Sequence, residues 1–379
     1  MKEEITTLKP EEFEDMMRFL ERCYRHSRDF FPRRYPHVWR KDTIQYENRI
    51  ILKVDGKIVS HVGIFPLTLI VGRARISAGG IGGVATLQEY RGKGYMSKLM
   101  NYSIEKMRKD GYSISILWGD RQRYGHFCYE TVGRLATFTL SLRSLKQECE
   151  PTLADFKRYY GERELLEKIV KMHENEMLKV RRSMRDYELI FSIPHLMTFM
   201  SDNAYVCYMH RHSPLTLIEY GGKPLDVVSL IYSLLNAFNR EFGISSVKVK
   251  APYYPYETFL MLRKVCSHWS IEPEGMVKIL DLKKLFEEYS PYLEEISEDI
   301  KLEFSLEVKE KHEKVAITLD RGSVITKPGA RSNLHVALHE RDMVKLLFDG
   351  VEEVGLAEKY SKLRTVFPLP FHVWLLDHI

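Results

Sequence analysis

The sequence predicts a mixed α+β protein made of more than one unit. Three observations carry this. At 379 residues the chain exceeds one typical compact domain, so two or three are expected. Its first third alternates strand and helix signals. Further along, the order strand, helix, strand recurs, which predicts a duplicated fold whose second copy has lost its motif. Apolar residues make up 44% of the chain and aromatics 12%, enough for real cores and outside the disordered class.

In order, residues 5–8 form a short strand candidate, and Pro10 with Glu11 and Glu12 opens a helix. Phe13, Met16, Met17 and Leu20 share one face of that helix. Residues 25–43 read as a loop crowded with Phe30, Phe31, Tyr35 and Trp39. An antiparallel run follows: strands over 50–54, 59–65 and 68–77, with a turn at Asp55-Gly56. The glycines of GGIGG at 79–83 sit between strands, where they relieve crowding or build a bulge. After residues 84–87 comes the stretch Arg91-Gly92-Lys93-Gly94, then a helix with Met96, Leu99, Met100, Ile104 and Met107 at helical spacing. Gly111 ends it, and Ile114, Ile116 and Trp118 alternate as a strand. A polar segment, GDRQRYGHFCYE, separates this from a strand through Leu135, Phe138 and Leu140.

The pattern restarts near 145–152. Residues 164–174 are helical, 205–210 and 216–220 are strands, 225–242 is a long helix ended by Gly243, and 247–251 is another strand. From about 283 a third unit opens with LKKLFEEYSPYLEEI and continues through KLEFSLEV and KVAITLDRGSVITK, whose alternation predicts paired strands.

Composition removes several classes of function. The 57 basic and 52 acidic residues are interspersed, so no basic arm or helix suggests nucleic-acid binding. No apolar run reaches membrane-spanning length, and the amphipathic acidic N-terminus is unlike a secretory signal. The cysteines (Cys23, Cys128, Cys149, Cys207, Cys266) are odd in number and far apart, so neither a metal pair nor a disulfide framework is expected. His210 with His212, and His335 with His339, lack a third ligand at metal spacing. There is no G-x-S-x-G elbow or GK[ST] loop. A cytoplasmic protein without a metal or membrane insertion is expected.

The glycine loop running into a helix fits a phosphate cradle. Glycines let backbone N–H groups approach a pyrophosphate, the helix dipole adds attraction, and Arg91 and Lys93 supply charge. A plain helix start is the alternative.

Two motifs carry a family resemblance. Val84 to Gly94 and the helix after it resemble the acyl-CoA loop of the GNAT superfamily of N-acetyltransferases, R/Q-x-x-G-x-G/A. Arg91 and Gly94 match, while Met96 replaces the final small residue. Tyr124-Gly125-His126-Phe127-Cys128-Tyr129 resembles that fold's Y-x-x-F-G-Y segment, with Cys128 in place of glycine. The succession of units resembles the enhanced intracellular survival (Eis) family. It implies a GNAT acyl-CoA-binding domain over 1–145, a degenerate GNAT-like domain over 146–282 and a sterol-carrier-protein-like domain over 283–379.

The resemblance further implies acetyl-CoA as cosubstrate, held by Arg91, Gly92, Lys93, Gly94, Tyr95, Met96 and Ser97, with the amides near Val84 and Ala85 on the thioester carbonyl. Tyr124 is then the proton donor to the CoA sulfur, and the chain's terminal carboxylate, on Ile379, is the base. Asp120 and His126 are fallback bases. The acceptor is a primary amine: an aminoglycoside-like polyamine, a lysine side chain or another small amine. Phe30, Phe31, Tyr35 and Trp39 either line a cation–π pocket for it or pack as core. Related proteins are oligomeric, which implies a homo-oligomer. The alternative function is a non-catalytic protein whose sterol-carrier-like unit holds an apolar ligand.

Overall fold

The computed structural model describes residues 2–149, 151–209 and 215–378. The chain divides into two compact units. One comprises Met1–Gly133 with Gly275–Pro370, the other Arg134–Glu274 with Phe371–His378.

The first unit opens with strand β1 (Glu3–Thr7), helix α1 (Phe13–Tyr24) and two short helices, α2 (Phe30–Arg34) and α3 (Pro36–Trp39). Strands β2 (Arg49–Val54), β3 (Lys57–Val71) and β4 (Ala74–Thr86) follow, then α4 (Tyr95–Lys109), β5 (Ile114–Leu117) and α5 (Arg121–Gly125). The strands lie in the order β1-β2-β3-β4-β5. Helix α1 buries Phe13, Met16, Met17 and Leu20, the face its spacing predicts, and α4 buries Leu99, Met100, Ile104 and Met107.

The strands β3 and β4 form one long hairpin closed at Val71↔Ala74, so the strand expected over 68–77 in fact spans its turn. Gly72 takes φ 56° there, a conformation that interrupts an otherwise continuous apolar alternation. The GGIGG run lies inside β4, not between strands. A Cβ on Gly79 would meet the Met107 sulfur at 2.3 Å, so this glycine lets α4 pack directly on the sheet. Residues 25–43 hold the two short helices where a loop is expected.

β4 and β5 pair in parallel only from Ala78↔Ile114 to Gly80↔Ile116. Beyond that point β4 runs on to Thr86 while β5 ends at Leu117.

The chain passes to the second unit within β6 (Glu130–Ser141). There follow α6 (Leu142–Glu148), β7 (Lys157–Arg158), α7 (Arg163–Glu174), β8 (Leu178–Val180), α8 (Met184–Ile190), β9 (Leu196–Met200), β10 (Ala204–Met209) and β11 (Thr216–Gly222). Then come α9 (Pro224–Phe242), β12 (Ser246–Pro252), α10 (Glu257–Val265) and β13 (His268–Ile279). The strands run β6-β12-β11-β10-β9-β7. β11 and β12 are parallel with α9 between them in sequence, repeating the β4-α4-β5 order that the sequence predicts. His210 and His212 lie outside the described residues.

The chain returns to the first unit with α11 (Leu282–Ile296), β14 (Lys301–Val308), β15 (Glu313–Asp320), β16 (Ser323–Pro328), β17 (His335–Leu338) and α12 (Glu340–Asp349). The four strands form a separate sheet, β16-β15-β14-β17. Glu288 of α11 accepts hydrogen bonds from the Ser77 amide at 2.9 Å and from the Ser77 and Ser113 hydroxyls at 2.5 Å. Residues 275–370 fold with the first unit, and 371–378 return to the second.

Candidate active site

The end of β4 and the start of α4 border a cleft of about 450 Å³ in the first unit. Its lining includes Val84, Ala85, Thr86, Arg91, Gly92, Gly94, Tyr95 and Met96. Gly92 and Gly94 adopt φ 77° and 75°, the left-handed region that glycine enters without strain. A Cβ at either would meet nothing within 4 Å. Both positions therefore border open space, as a loop wrapping a phosphate requires.

Gly94 is the N-cap of α4, and no side chain caps that end. The first-turn amides of Tyr95, Met96 and Ser97 have no intrahelical acceptor, and the helix dipole favours an anion beside them. The charged side chains of the lining, Arg91 and Arg123, are both basic. This arrangement fits the pyrophosphate of an acyl-CoA. Tyr95 contributes its backbone, since its ring is buried and its hydroxyl donates to Glu3 at 2.8 Å. Lys93 lies with its Nζ 5.0 Å from the Tyr90 ring centroid, and Ser97 is exposed. Neither is among the lining residues.

At its far end β4 bulges. His61 pairs with Ala85 and Gly63 with Gly82, so Gly83 and Val84 together face one residue of β3. Gly83 takes φ 61° to make this possible. Four successive carbonyls here accept side-chain donors: Gly83 from His61 Nδ1 (2.7 Å), Val84 from the Tyr24 hydroxyl (2.9 Å), Ala85 from Ser60 Oγ (3.0 Å) and Thr86 from Arg91 Nε (3.3 Å). A carbonyl can only accept, so the His61 proton is on Nδ1.

His61 is fully buried, and burial pushes its pKa down to about 3. An unfolded histidine titrates near 6.5, so below that pH the unfolded chain takes up a proton that the folded ring refuses. Stability from this group is complete above pH 6.5 and is lost as pH falls toward 3. Between pH 7 and 5 the loss amounts to about 2 kcal/mol. Urea titrations of wild type and His61→Asn should show their stability difference shrinking by that amount over this interval. An unchanged difference would refute the buried neutral assignment.

Tyr124 is carried by α5. The helix is capped by Asp120, whose Oδ1 accepts from the Arg123 amide at 2.7 Å, so this fallback base serves as a cap. His126 is exposed. A Cβ on Gly119 would meet the Tyr124 ring at 2.3 Å, and the ring packs edge-on against Tyr129 with centroids 6.4 Å apart. Arg121 of α5 binds buried Glu130 in a two-pronged contact at 2.6 and 2.9 Å, and Arg341 of α12 binds the same carboxylate at 2.9 and 2.6 Å. This fixes the helix, and with it Tyr124, against β6. Cys128 takes φ 61° where the turn reverses, which is why glycine suits that position.

Tyr124 is buried, and burial raises its pKa, so the phenol stays protonated at neutral pH. It is not among the lining residues but stands close to Tyr24, which is. Burial first, and then Tyr124, raise the Tyr24 phenol as well.

The aromatic cluster is core. Phe31 and Trp39 are buried with centroids 5.0 Å apart. One of its rings, Trp39, already carries a cation of the protein's own: the Arg49 guanidinium lies 4.9 Å from that ring and 4.0 Å from Phe65. Ile379, the expected source of the base, lies outside the described residues. Tyr24, Thr86, Tyr90 and Arg123 also line the cleft and are missed by sequence reasoning, as are Glu130 and Arg341 behind it. Among the described residues no group of side chains could hold a metal ion, and no helix is long and apolar enough to cross a membrane.

Residues 4–132 match the family described as acetyltransferase (GNAT) domain. No curated protein matches the sequence. Three solved structures share the fold at low identity. A conserved protein of unknown function from Enterococcus faecalis V583 is 16% identical with TM-score 0.75, covering 100% of both chains. A GCN5-related N-acetyltransferase from Kribbella flavida is 15% identical with TM-score 0.72, covering 100% of this chain and 98% of its own. Eis1 from Mycobacterium abscessus is 12% identical with TM-score 0.68, covering 99% and 100%. The chain is thus an acyltransferase, its residues 4–132, which include those that line the cleft, matching the acetyltransferase (GNAT) domain, whose members draw on acyl-CoA. This displaces the non-catalytic alternative.

Proposed function

We propose that the protein is an acetyl-CoA-dependent N-acetyltransferase of Eis-like architecture, transferring acetyl to a primary amine by direct attack in a ternary complex. The observation that carries this reading is the convergence of two features on one cleft, the uncapped α4 N-terminus behind Gly92 and Gly94 and the β4 bulge, with Tyr124 close to the lining residue Tyr24. The amides of the α4 first turn, with Arg91, hold the pyrophosphate. The Val84 and Ala85 amides polarise the thioester carbonyl. Tyr124 gives its proton to the departing thiolate.

Direct attack is favoured over a covalent enzyme intermediate by the state of the cysteines nearby. Burial pushes the Cys23 thiol up to about 11 and raises Cys128 as well. Both remain thiols at neutral pH and are poor nucleophiles. The acceptor must lose a proton, since a lysine-like amine is almost wholly charged at pH 7. The terminal carboxylate of Ile379 is proposed to take it. An aminoglycoside-like polyamine, a lysine side chain or another small amine is the acceptor, and the enzyme is proposed to work as a homo-oligomer.

Thiol release from acetyl-CoA across a broad panel of amines tests the reading; no release with any amine would end it. Removing Ile379 should cut turnover while leaving CoA affinity intact. A Gly94→Val substitution tests the cradle. It places a branched Cβ at φ 75°, at a local cost of about 1–2 kcal/mol, and fills the space left for the phosphate. The KM for acetyl-CoA should rise by about tenfold or more with a smaller change in kcat. An unaltered KM would move the pyrophosphate elsewhere.

A further inference from the structure

The chain of pinned carbonyls at the end of β4 bears on one N–H group in particular. In a planar trans peptide the carbonyl of one residue and the N–H of the next point in opposite directions. The Gly83 carbonyl points to His61 on β3. The Val84 N–H therefore points away from His61 and β3. The Val84 carbonyl agrees with this. A strand residue directs its own N–H and C=O to the same side, and that carbonyl meets Tyr24, a lining residue of the cleft.

The imidazole of His61 has one satisfied contact. Its Nε2 is buried and finds no partner, and its pair of neighbours, Trp39 Nε1 and Arg49 Nε, are likewise unpartnered. A leucine would pack here without the cost of hiding a bare ring nitrogen. What an apolar side chain could not supply is the Nδ1–H bond to Gly83. A Cβ on Gly83 would come within 3.1 Å of the imidazole and 3.0 Å of Trp39, so ring and bulge are closely fitted.

We infer that His61 is a positioning residue for acyl transfer: by holding the Gly83 carbonyl it aims the Val84 N–H at the thioester carbonyl in the cleft, with Tyr24 holding the following peptide. This rests on the acyl-transfer reading above. A donor aimed where charge develops is effective because it is already oriented, so a peptide free to rotate should lose most of that effect.

The test compares His61→Phe, which keeps a ring of similar volume, with His61→Asn, whose amide nitrogen can donate from the place of Nδ1. Isotope-edited infrared spectra of carbonyl-labelled acetyl-CoA bound without acceptor report the polarisation of the thioester apart from turnover. In wild type the carbonyl band should lie below its position in solution. In His61→Phe it should return toward the solution value, and kcat should fall about tenfold or more while CoA affinity holds. His61→Asn should recover most of both. Should the Phe ring not be accommodated, His61→Leu makes the same deletion at smaller volume. A folded variant without the donor that keeps the wild-type band and kcat overturns the inference, as does an Asn variant impaired as badly as the Phe. If wild type binds acetyl-CoA yet acetylates no amine, the functional reading fails, while the band still decides whether His61 aims the donor.

Discussion

Replacing Tyr124 by Phe is expected to lower kcat by about 10²–10⁴-fold with little change in the KM for acetyl-CoA. The substitution deletes one hydroxyl and retains the ring, and the ring is what the surroundings are shaped around. Gly119 gives it room, Tyr129 meets its edge, and the Glu130 cluster fixes the helix from which it projects. Folding and CoA affinity should therefore survive. In the proposed reaction the phenol serves the leaving thiolate and makes no contact with the nucleotide, so its loss should spare binding. Burial raises its pKa, which keeps it a donor throughout the neutral range and places any alkaline loss of activity above the ordinary phenol value near 10. Stopped-flow thiol release separates the chemical step from product release. Full turnover in the variant would remove Tyr124 as the acid and leave the GNAT domain standing. Tyr24→Phe offers the contrast: its hydroxyl holds a backbone carbonyl, so its loss should cost far less.

What was legible in the sequence was local. The α4 helix announces itself through apolar spacing and a glycine cap within a dozen residues. The turn after α5 does so through Tyr124 to Tyr129. Both encode backbone conformations that a few neighbouring residues determine. The glycines at 79–83 were harder. Their run showed that side chains were unwelcome, but not that Gly79 admits α4 while Gly83 turns a bulge.

The contacts around the cleft and α5 are written across long intervals. Tyr24 meets Val84, His61 meets Gly83, and Arg341 reaches Glu130 from 211 residues away. No periodicity records such pairs, because each depends on which elements become neighbours. The aromatic cluster shows the converse. One of its rings, Trp39, does attract a cation, yet that cation is Arg49, which arrives from β2, a partner that composition alone does not reveal. Long intervals also hold the first unit together, since residues 275–370 join it through contacts such as Glu288 with Ser77 and Ser113.

Arg182→Leu should be the most damaging single change to the second unit. Its guanidinium binds Glu219 at 3.0 and 2.6 Å and Asp377 at 2.8 and 2.7 Å, all three side chains being almost wholly buried. One cation thus compensates two carboxylates, and Tyr205 adds a bond to Glu219 at 3.0 Å. Burial pushes Asp377 up to about 6 against the pull of Arg182, with Glu219 adding to the rise. Without the arginine both carboxylates lose their counter-charge in a dry interior, and a loss of about 3–5 kcal/mol is expected at pH 7.5. Protonating the stranded acids relieves them, so the variant should regain stability as pH is lowered toward 5, where a purely packing defect would not. Asp377→Asn makes the opposite case. It leaves Arg182 paired one-to-one with Glu219 and removes a group whose folded pKa exceeds its unfolded 3.8. The wild-type penalty from that group grows as pH rises from 3.8 to 6 and is absent in the variant. The asparagine should therefore be tolerated at pH 7.5 to within about 1 kcal/mol. Denaturant titrations at the two pH values decide between these expectations. Equal losses in Arg182→Leu and Asp377→Asn, independent of pH, would show that the cluster acts through packing and not through charge.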